Sequence, residues 1–586
     1  MSPVTEYEAR LAARRGRVAA EDRLHVRLGN IRLLLGVSAA VIAYSAFVHH
    51  ALNPYWLFAP VAAFLPVLPI HSHVLRRRTL AARAVLFYEH GLARMADKWA
   101  GMGEQGLRLR DPLHPYADDL DLFGHGSLFE LLSEARTRGG EDTLANWLLH
   151  PADAETIRER QQSVAELKQY LDLRESLFVL GEDARDTVHT SHLAAWAGSS
   201  PILDSKALWW GAALLSLNVA VSALAAWHLD FERPLLFALL AVTVFGYWLR
   251  KRVLAVITTL DEAVHDLRLL SSLLELIEKQ TFESPRLLEL RRRLTASRAI
   301  GSLHRLAELV DSRDNPLIRV AGPPLLYGTH LAFAVERWRG TYGPRVGGWL
   351  DALSEFEALL SIAGYAAEHP SDPFPEIVSE KLLDGTELGH PLLPADKCVR
   401  NSVQLDANLA LLCVSGSNMS GKSTYLRVIG INVVLAMAGA PIRGKRLRLS
   451  PFATGAAIRV TDSLQGGASR FYAELKRLRQ VLDLAAGEYP VLFLLDELFS
   501  GTNSHDRRIG AEGVLRELLG RGALGLITTH DLALTAIAEA LQPRAANVHF
   551  EDTLEDGQLH FDYRLRPGVV EKSNALELMR SIGIDV

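Results

Sequence analysis

The chain has 586 residues, more than one ordinary domain holds, so the sequence predicts two or more folding units with separate cores. Its 63 Lys and Arg residues nearly balance 68 Asp and Glu residues, and the net charge of -5 argues against a protein whose whole surface coats nucleic acid. Only Cys398 and Cys413 are present, which excludes a disulfide framework and indicates a reducing environment. Hydrophobic residues make up 49% of the chain, a high fraction that predicts apolar residues facing lipid.

Two pairs of apolar segments account for much of this hydrophobicity. The first pair covers residues 33–48 and 55–70, and the second covers residues 207–227 and 234–249. Each segment approaches the length of about 20 residues that crosses a bilayer as a helix. Aromatic residues at the segment ends and Lys and Arg clusters flanking both pairs favour membrane hairpins with both termini in the cytoplasm. The alternative is a pair of helical hairpins buried in a protein core.

Helical periodicity dominates the residues between and after these hairpins. Residues 127–149 and 154–173 are each predicted to be helical, and apolar residues recur at threes and fours over 260–277, as on a long amphipathic helix. Ser284-Pro285 predicts the start of another helix, which continues through five basic residues. These candidate contacts to DNA phosphates are Arg286, Arg291, Arg292, Arg293 and Arg298. A solvated helix face is the alternative interpretation.

From about residue 405, short apolar strands alternate with helices, a pattern typical of a parallel sheet covered on both faces. A strand over residues 411–414 leads directly into a glycine-rich loop and then a helix, which is the context of a phosphate-binding loop. The candidate nucleotide-binding residues are Gly416, Ser417, Asn418, Met419, Ser420, Gly421, Lys422, Ser423 and Thr424. Lys422 is expected to reach the β- and γ-phosphates of ATP, and Ser423 to ligate Mg²⁺.

Two later strands end in residues suited to the same chemistry. The strand over residues 491–495 ends in Asp496 and Glu497, of which Asp496 suits the Mg²⁺ shell and Glu497 suits positioning of the attacking water. The strand over residues 526–529 leads to His530, a candidate sensor of the γ-phosphate, for which a structural histidine is the alternative. Together these strand ends predict an ATPase.

These motifs resemble those of the MutS family of mismatch-repair and recombination ATPases. Residues 416–424 read GSNMSGKST, where the family's loop reads G-P-N-M-x-G-K-S-T, so Ser417 replaces the usual proline. Residues 496–503 resemble the family's D-E-x-x-x-G-T segment, and residues 528–530 resemble its T-T-H switch. Residues 467–474 resemble the G-x-S-T-F-x-x-E segment, with Arg470 in place of threonine. The resemblance implies that Ser469 approaches the nucleotide of a partner subunit.

The same resemblance extends to other parts of the chain. His390-Pro391 and Arg400-Asn401 resemble the H-P and P-N-D signals, which implies that Asn401 lies beside the adenine. Residues 118–172 resemble the family's helical core. Once the first hairpin is set aside, we expect the residues before 118 to be too few to form the family's mismatch-reading and connector domains. Residues 87–89, Phe-Tyr-Glu, echo the mismatch-reading F-x-E motif, and we interpret that echo as coincidence. The resemblance implies a homodimer formed through the ATPase domains.

The sequence as a whole predicts a multidomain protein: α-helical membrane hairpins, an α-helical core and lever region, and a C-terminal α/β P-loop ATPase domain of the ABC-like, MutS type. The expected parts are a basic cytoplasmic segment (1–30), transmembrane hairpin 1 (31–72), a helical connector (73–117), a helical core (118–205), transmembrane hairpin 2 (206–250), a helical lever (251–370) and the ATPase domain (371–586). We expect a multi-pass protein of the inner or cell membrane with a cytoplasmic ATPase domain that uses ATP and Mg²⁺.

Three functional interpretations follow from this organisation. The first is a membrane-anchored ATPase that binds DNA without reading mismatches. The second is an ATP-driven membrane switch that acts on a protein partner without DNA. The third, an ATP-binding-cassette transporter, fits less well because four short spans in two separated hairpins make a poor translocation pathway.

Overall fold

The computed structural model describes residues 2–185, 190–229, 231–312, 315–459, 470–499, 504–555 and 558–570. Its helices are, in chain order, α1 (Pro3–Phe47), α2 (Phe58–Met95), α3 (Leu128–Leu132), α4 (Arg138–Leu149), α5 (Ala154–Leu167), α6 (Leu171–Arg185), α7 (Thr190–Gly198), α8 (Lys206–Leu229), α9 (Arg233–Glu278), α10 (Pro285–Arg293), α11 (Ser297–Asp311), α12 (Pro316–Ala321), α13 (Tyr327–Glu368), α14 (Lys422–Ala438), α15 (Arg470–Leu484), α16 (Ser504–Gly520) and α17 (Leu532–Ala540). The chain divides into two compact units. The first comprises residues 1–134, 142–171 and 359–586, and the second comprises residues 135–141 and 172–358.

Two long antiparallel helices, α1 and α2, begin the first unit. Ser2 caps α1, because its side chain accepts a hydrogen bond from the backbone N–H of Thr5 at 3.3 Å. Ion pairs between α1 and α2, such as Arg15–Glu89 at 2.7 Å, connect the start of one helix to the end of the other. The predicted basic segment over residues 1–30 is therefore not separate from the first apolar stretch, since both belong to one continuous helix.

Among the described residues, four helices are long and apolar enough to cross a membrane, judged by length and composition: Pro3–Phe47, Pro54–Met95, Lys206–Leu229 and Arg233–Leu260. The most apolar stretch of the first has no buried residue, and in each of the other three 17% of that stretch is buried. Large apolar side chains are thus presented outward along all four helices. Surfaces of this kind face lipid or a partner protein, and membrane insertion stays a prediction.

A buried charge network fixes the end of α2 within the first unit. The guanidinium group of Arg94 donates from Nε and Nη2 to the two carboxylate oxygens of Glu368, each at 2.6 Å. Nη2 also donates to Glu134. The side chain of Glu368 is fully buried, and the other two are nearly so. Because a buried charge without partners is costly, each member of this network depends on the others.

An aromatic cluster lies near this network. The ring of Tyr7 is 6.2 Å from that of Phe87 and 5.4 Å from that of Tyr88, measured between ring centroids. Phe87 and Tyr88 are 1% and 0% exposed, respectively. These two residues therefore contribute to the core of the first unit, and the interpretation that residues 87–89 echo an F-x-E motif by coincidence stays a prediction.

The first unit also contains two β-sheets. Their strands are β1 (Glu376–Ile377), β2 (Leu383–Leu388), β3 (Asn401–Leu405), β4 (Leu411–Ser415), β5 (Arg446–Leu449), β6 (Ala453–Ala457), β7 (Val491–Asp496), β8 (Leu524–Thr529), β9 (Ala545–Glu555) and β10 (Gln558–Pro567). The smaller sheet has the order β1-β5-β2-β3 and the larger has the order β10-β9-β4-β8-β7-β6. In the larger sheet β9, β4, β8, β7 and β6 are parallel, and only β10 pairs antiparallel. The predicted alternation of strands and helices in this region is confirmed.

Helix α14 lies in the core of this α/β region, and most of its residues are buried. It begins after Gly421 and ends before Gly439, whose φ angles of 97° and 81° lie in the left-handed region that favours glycine. Within the helix, the amide of Asn432 donates to the carbonyl of Gly389 at 2.9 Å and accepts the backbone N–H of Arg443 at 2.8 Å. These bonds connect α14 to the loops that flank the smaller sheet.

In its described residues the second unit is helical. Helix α9 runs for 46 residues without a break, so the apolar stretch and the predicted amphipathic stretch after it form one helix. Helix α10 begins as predicted, with Ser284 at the N-cap, but it ends at Arg293. The prediction of one helix through Arg298 is wrong, because the carboxylate of Glu278 accepts the backbone N–H groups of Ala296 and Ser297, at 2.8 and 2.9 Å, where α11 begins.

Two other predicted helices are also interrupted. Residues 127–149 form α3 and α4, separated at residues 133–137, and residues 154–173 divide between α5 and α6. In the first interruption the carboxylate of Glu357 accepts the backbone N–H groups of Arg136 and Thr137, at 3.2 and 3.3 Å. Burial raises the pKa of Glu357 to about 7, although these hydrogen bonds oppose the shift. The interruption therefore depends on a residue more than two hundred positions away.

We expect Glu368→Gln to lower the free energy of unfolding by about 3 kcal/mol, because it removes one of the two carboxylates that compensate the buried charge of Arg94. The measurement is chemical denaturation of the purified protein in detergent. The control is Asp118→Asn, which breaks the more exposed pair with Arg110 and should cost less than about 1 kcal/mol. Equal stability losses in the two variants would contradict the assignment of Arg94 as a buried charge that depends on Glu368.

Candidate functional site

The glycine-rich loop connects β4 to α14 at the edge of the larger sheet. Gly416 and Gly421 have φ angles of 154° and 97°. A Cβ atom at Gly416 would lie 2.7 Å from Oγ of Ser420, and one at Gly421 would lie 3.0 Å from the ring of Tyr563. Both the backbone conformation and the close approach of neighbouring atoms therefore favour glycine at these two positions.

Lys422 is the first residue of α14 and is folded over this loop. Its Nζ donates to the carbonyl oxygens of Gly416 and Ser417, at 2.9 and 2.8 Å, and the residue is buried. Burial lowers the pKa of Lys422 below its ordinary value, and the nearby carboxylates of Glu497 and Asp496 oppose this shift. The loop and the two acidic residues thus surround one ammonium group.

Parallel pairing brings the predicted strand ends together. Strand β8 lies between β4 and β7, with Ser415 opposite Thr529 and Asp496 opposite Thr528. The hydroxyl of Thr528 donates to Asp496 and accepts the backbone N–H of Glu497 at 3.2 Å. The carboxylates therefore lie at the same sheet edge as the glycine-rich loop, as the sequence predicts.

His530 follows β8 and contacts the second of these carboxylates. Its Nδ1 lies 3.1 Å from Oε1 of Glu497, within hydrogen-bonding distance. Both side chains remain partly exposed, and Glu497 has a left-handed φ of 48°. A carboxylate held by an imidazole at the rim of a site can orient a water molecule and accept its proton. The structure thus joins His530 to Glu497, a contact that the sequence does not reveal.

A cavity of about 780 Å³ lies beside the loop. Its polar end is lined by Lys422, Ser423, Thr424, Asp496 and Glu497, with Asn418, Met419 and Gly421 of the loop. Its other side is lined by Leu388, Leu393, Val399, Val428 and Phe550, with Cys398 and Asn401. A polar end suited to phosphates and an apolar side suited to a base are what a nucleotide requires.

Asn401 and Tyr563 meet at the wall of this cavity. The amide of Asn401 donates to the carbonyl of Tyr563 at 2.9 Å and accepts the backbone N–H of Leu565 at 2.8 Å. Tyr563 has a left-handed φ of 54°, at an irregularity in the pairing of β9 with β10. The sequence predicts Asn401 at the site but gives no signal for Tyr563, because the irregularity depends on strand pairing.

The residues present fit a phosphate group and a divalent cation. Among the described residues, the buried hydroxyls of Ser417 and Ser420 in the loop have no hydrogen-bond partner. Ser423 and Asp496 line the same cavity and offer the hydroxyl and carboxylate oxygens that Mg²⁺ prefers. Within the described ranges there is no group of three or more His, Cys, Asp and Glu side chains that could hold a metal by itself. A magnesium ion here would therefore need oxygens from the nucleotide as well.

Other sequence predictions have different outcomes. Ser469 and residues 500–503 lie outside the described residues, so the expected contact across a dimer stays a prediction. Glu474 of the same predicted segment is buried, and its carboxylate accepts the backbone N–H of Phe499 just beyond β7. Asp119, for which the sequence gives no signal, accepts the backbone N–H groups of Ile458 and Arg459, at 2.8 and 2.6 Å, and so fixes the segment that follows β6.

The five candidate DNA-contacting arginines differ in their surroundings. Arg286 forms two hydrogen bonds of 2.6 Å with Glu355 and a third with Glu289, which also pairs with Arg293. Arg291 donates to a backbone carbonyl at 3.2 Å. Only Arg292 and Arg298 of this set are exposed without such a partner among the described residues. The surface available for phosphate contacts is therefore smaller than the sequence predicts.

Comparison with known proteins gives matches over two regions. Residues 412–585 match the family model described as MutS domain V, and residues 116–315 match that described as MutS domain III. DNA mismatch repair protein MutS 2 of Haloarcula marismortui is 33% identical over 264 residues, which cover 41% of this chain and 27% of that protein. Endonuclease MutS2 of Thermus thermophilus is 33% identical over 203 residues, and DNA mismatch repair protein MutS of Streptococcus uberis is 28% identical over 250 residues.

These similarities are partial in extent. The chain spans 25% of the length of the Thermus thermophilus protein and 29% of that of the Streptococcus uberis protein. Architecturally it is a mostly helical protein with a mixed α/β sheet domain, of the kind that MutS domains III and V describe. The two domain matches and the curated relatives together show that these two regions are similar to MutS proteins.

We expect Lys422→Ala to weaken nucleotide binding at least tenfold, because a hydrogen bond to a charged group contributes about 1.5–3 kcal/mol. The measurement is titration of the purified protein with a fluorescent ATP analogue. Lys445→Ala removes an exposed lysine of the same α/β region that pairs with Glu387 at 3.7 Å, and serves as the control with unchanged affinity. Unchanged affinity in the Lys422 variant would show that the glycine-rich loop is not the phosphate site.

Proposed function

We propose that this protein is a membrane-anchored ATPase of the MutS type that binds and hydrolyses ATP and binds DNA. The observation that carries the ATPase proposal is the single cavity into which the glycine-rich loop, Lys422 and the carboxylates of Asp496 and Glu497 converge. The MutS domain V match over residues 412–585 supports it, because the MutS homologues use ATP. The apolar lining residues of the cavity are suited to contact with the base.

In this proposal the residues of the candidate site have separate roles in ATP hydrolysis. The loop backbone and Lys422 bind the phosphates, and the positive end of α14 adds to the attraction. Ser423 and Asp496 would hold Mg²⁺, which supplies charge neutralisation between the phosphates when bound. Glu497 positions the attacking water and accepts its proton, while His530 holds that carboxylate in place through its 3.1 Å contact. Asn401 and Tyr563 border the position of the adenine.

The membrane part of the proposal is supported by four helices of sufficient length and apolar character. Basic residues follow each hairpin, at residues 76–78 and 250–252, which favours cytoplasmic loops on that side. The proposed location is the inner or cell membrane, with both termini and the ATPase domain in the cytoplasm. A homodimer joined through the ATPase domains, with Ser469 reaching the partner's nucleotide, completes the proposal.

The DNA part rests on the names of the relatives, which describe mismatch repair proteins and an endonuclease, and on the exposed Arg292 and Arg298. Phosphate contacts by these arginines would be independent of base sequence. No mismatch-reading step is proposed.

A second candidate function is an ATP-driven switch that moves membrane helices or a protein partner without DNA. The observation that favours it is the continuity of α9, which carries the apolar stretch and the following amphipathic stretch as one 46-residue helix. A displacement at one end of such a helix is transmitted to the other. The two candidates differ in whether DNA changes the rate of ATP hydrolysis.

We expect Glu497→Gln to retain ATP binding and to lower the hydrolysis rate by a factor on the order of 100 to 10,000, because the amide positions water but cannot accept its proton. The measurements are single-turnover hydrolysis and nucleotide binding on the same preparations. Glu512→Gln, an exposed carboxylate of α16 that pairs with Arg516, is the control with unchanged rates. Normal turnover in the Glu497 variant would exclude this residue as the base.

We expect the double variant Arg292→Gln/Arg298→Gln to weaken duplex DNA binding and to reduce the slope of log affinity against log salt by up to about 2, because each lost phosphate contact reduces it by about 0.9. The measurement is a salt titration of binding to duplex and branched DNA, alongside ATPase rates with and without each DNA.

The control for charge is Lys445→Gln/Arg446→Gln, which removes the same number of exposed positive charges from the α/β region. If the native protein does not bind DNA at low salt and DNA does not change its ATPase rate, the DNA part of the proposal is wrong. The membrane switch is then favoured.

A further inference from the structure

A groove of about 610 Å³ in the second unit lies between α9 and residues 318–329, and none of the proposed steps of ATP hydrolysis or DNA binding uses it. The lining residues that matter here are Val242, Thr243, Gly246 and Arg250 of α9, with Arg319 and Leu326 on the other side. Its volume lies within the range of about 300–1,000 Å³ that is typical of sites for small ligands. Its walls are mostly apolar, and it also has two cationic side chains. These features favour a ligand that has both an anionic group and an apolar part.

The depth of the groove follows from contacts along the hairpin formed by α8 and α9. Lys206 begins α8, and Arg250 lies within α9 where its apolar stretch ends, so these two residues mark the basic end of the hairpin. Ser216 lies ten residues beyond Lys206, about 15 Å along α8, and its hydroxyl donates to the carbonyl of Leu325 at 2.9 Å. Gly246 lies four residues before Arg250, about 6 Å along α9, and a Cβ atom there would be 3.2 Å from the side chain of Leu326.

Leu325 and Leu326 therefore lie about 6 to 15 Å past the basic end of the hairpin, and residues 316–327 form the segment that reaches this depth. Their composition fits such a position, since Arg319 is the one charged residue in the sequence from 316 to 335. Val320 is 78% exposed although it is apolar. The turn also satisfies its own backbone, with Gly322 donating to Ile318 at 2.7 Å and Tyr327 donating to Gly322 at 3.0 Å. Internal satisfaction of backbone groups is what a segment at membrane depth requires.

Charge at the groove favours an anion. The side chains of Arg250 and Arg319 are exposed, and neither forms an ion pair or a hydrogen bond with any part of the chain that the structure describes. By contrast, Arg286 and Arg339 of the same unit pair with carboxylates. Two cations without partners at the basic end of an apolar groove complement a phosphate group attached to a hydrocarbon chain.

We propose that this groove binds one acidic phospholipid, with its phosphate between Arg250 and Arg319 and an acyl chain along Val242, Thr243 and Gly246. The inference rests on the proposed insertion of the second hairpin in a membrane. A lipid fits better than free phosphate, because the groove continues from the two arginines along apolar side chains toward Leu239. It also fits better than nucleic acid, because the turn at residues 322–326 would lie in the hydrocarbon region.

The test uses the full-length protein, reconstituted in bilayer discs of phosphatidylcholine with phosphatidylglycerol and then extracted in mild detergent. Native mass spectrometry counts the phospholipids that each protein retains. The native protein should retain phosphatidylglycerol selectively, and Arg250→Gln/Arg319→Gln should lower that retention by about tenfold or more. The control Lys251→Gln/Arg252→Gln makes the same charge change at neighbouring exposed positions outside the groove lining, and should retain the lipid.

A second pair of variants tests the apolar part without changing charge. Thr243→Trp fills the groove and should lower retention, whereas Val244→Trp, exposed on a part of α9 outside the groove lining, should not. The proposal is overturned if Arg250→Gln/Arg319→Gln retains as much phosphatidylglycerol as the control Lys251→Gln/Arg252→Gln. It is also overturned if the native protein retains phosphatidylcholine as well as phosphatidylglycerol, or if inorganic phosphate alone displaces the lipid.

Alkaline carbonate extraction of cell membranes separates this inference from the proposed function. Protein that remains in the membrane but lacks selective phosphatidylglycerol retention overturns the lipid site and leaves the membrane anchor intact. Protein that carbonate releases overturns the anchor, and the lipid site with it.

Discussion

The parallel pairing of β4, β8 and β7 is the constraint on which the candidate site depends. Neighbouring parallel strands end at the same edge of a sheet, so the glycine-rich loop, Asp496 and His530 meet although they are far apart in the sequence. The pairing has a steric basis, because a Cβ atom at Gly525 of β8 would lie 2.4 Å from the ring of Phe493 in β7. A larger residue at position 525 would separate the strands and move the carboxylates away from the loop.

The chemistry of the site could be predicted from the sequence because each part is local. A buried strand followed by a loop or by acidic residues can be recognised within ten residues, and the alternation of strands with helices predicts a parallel sheet whose strand ends lie at one edge. Interruptions of helices could not be predicted, because their causes are distant. Glu278 caps the start of α11, and Glu357 stabilises the gap between α3 and α4. The surroundings of Arg286 likewise depend on Glu355, which lies 69 positions away in the sequence.

Continuity of helices connects distant parts of the second unit. Helix α9 carries an apolar stretch, a buried amphipathic face and, at its last residue, the carboxylate that accepts N–H groups from the start of α11. Arg292 and Arg298 flank that connection. The candidate DNA contacts and the second hairpin therefore belong to one continuous structural path within this unit. For this reason both candidate functions involve the same helices, and they differ in whether DNA binds at the polar end.

The match to MutS domain III covers residues 116–315 and so includes both helices of the second hairpin. The side chains of Leu214 and Phe237 there are each more than 60% exposed, as are many of their neighbours. Exposure of so large an apolar surface to water is unfavourable. A partner protein could cover such a surface as well as lipid could. However, the hydroxyl of Ser216 within α8 bonds to a backbone carbonyl of the turn near Leu325, and that turn otherwise bonds to itself. These contacts meet the requirement that hydrocarbon imposes on a segment's backbone groups, and membrane insertion of this hairpin stays a prediction.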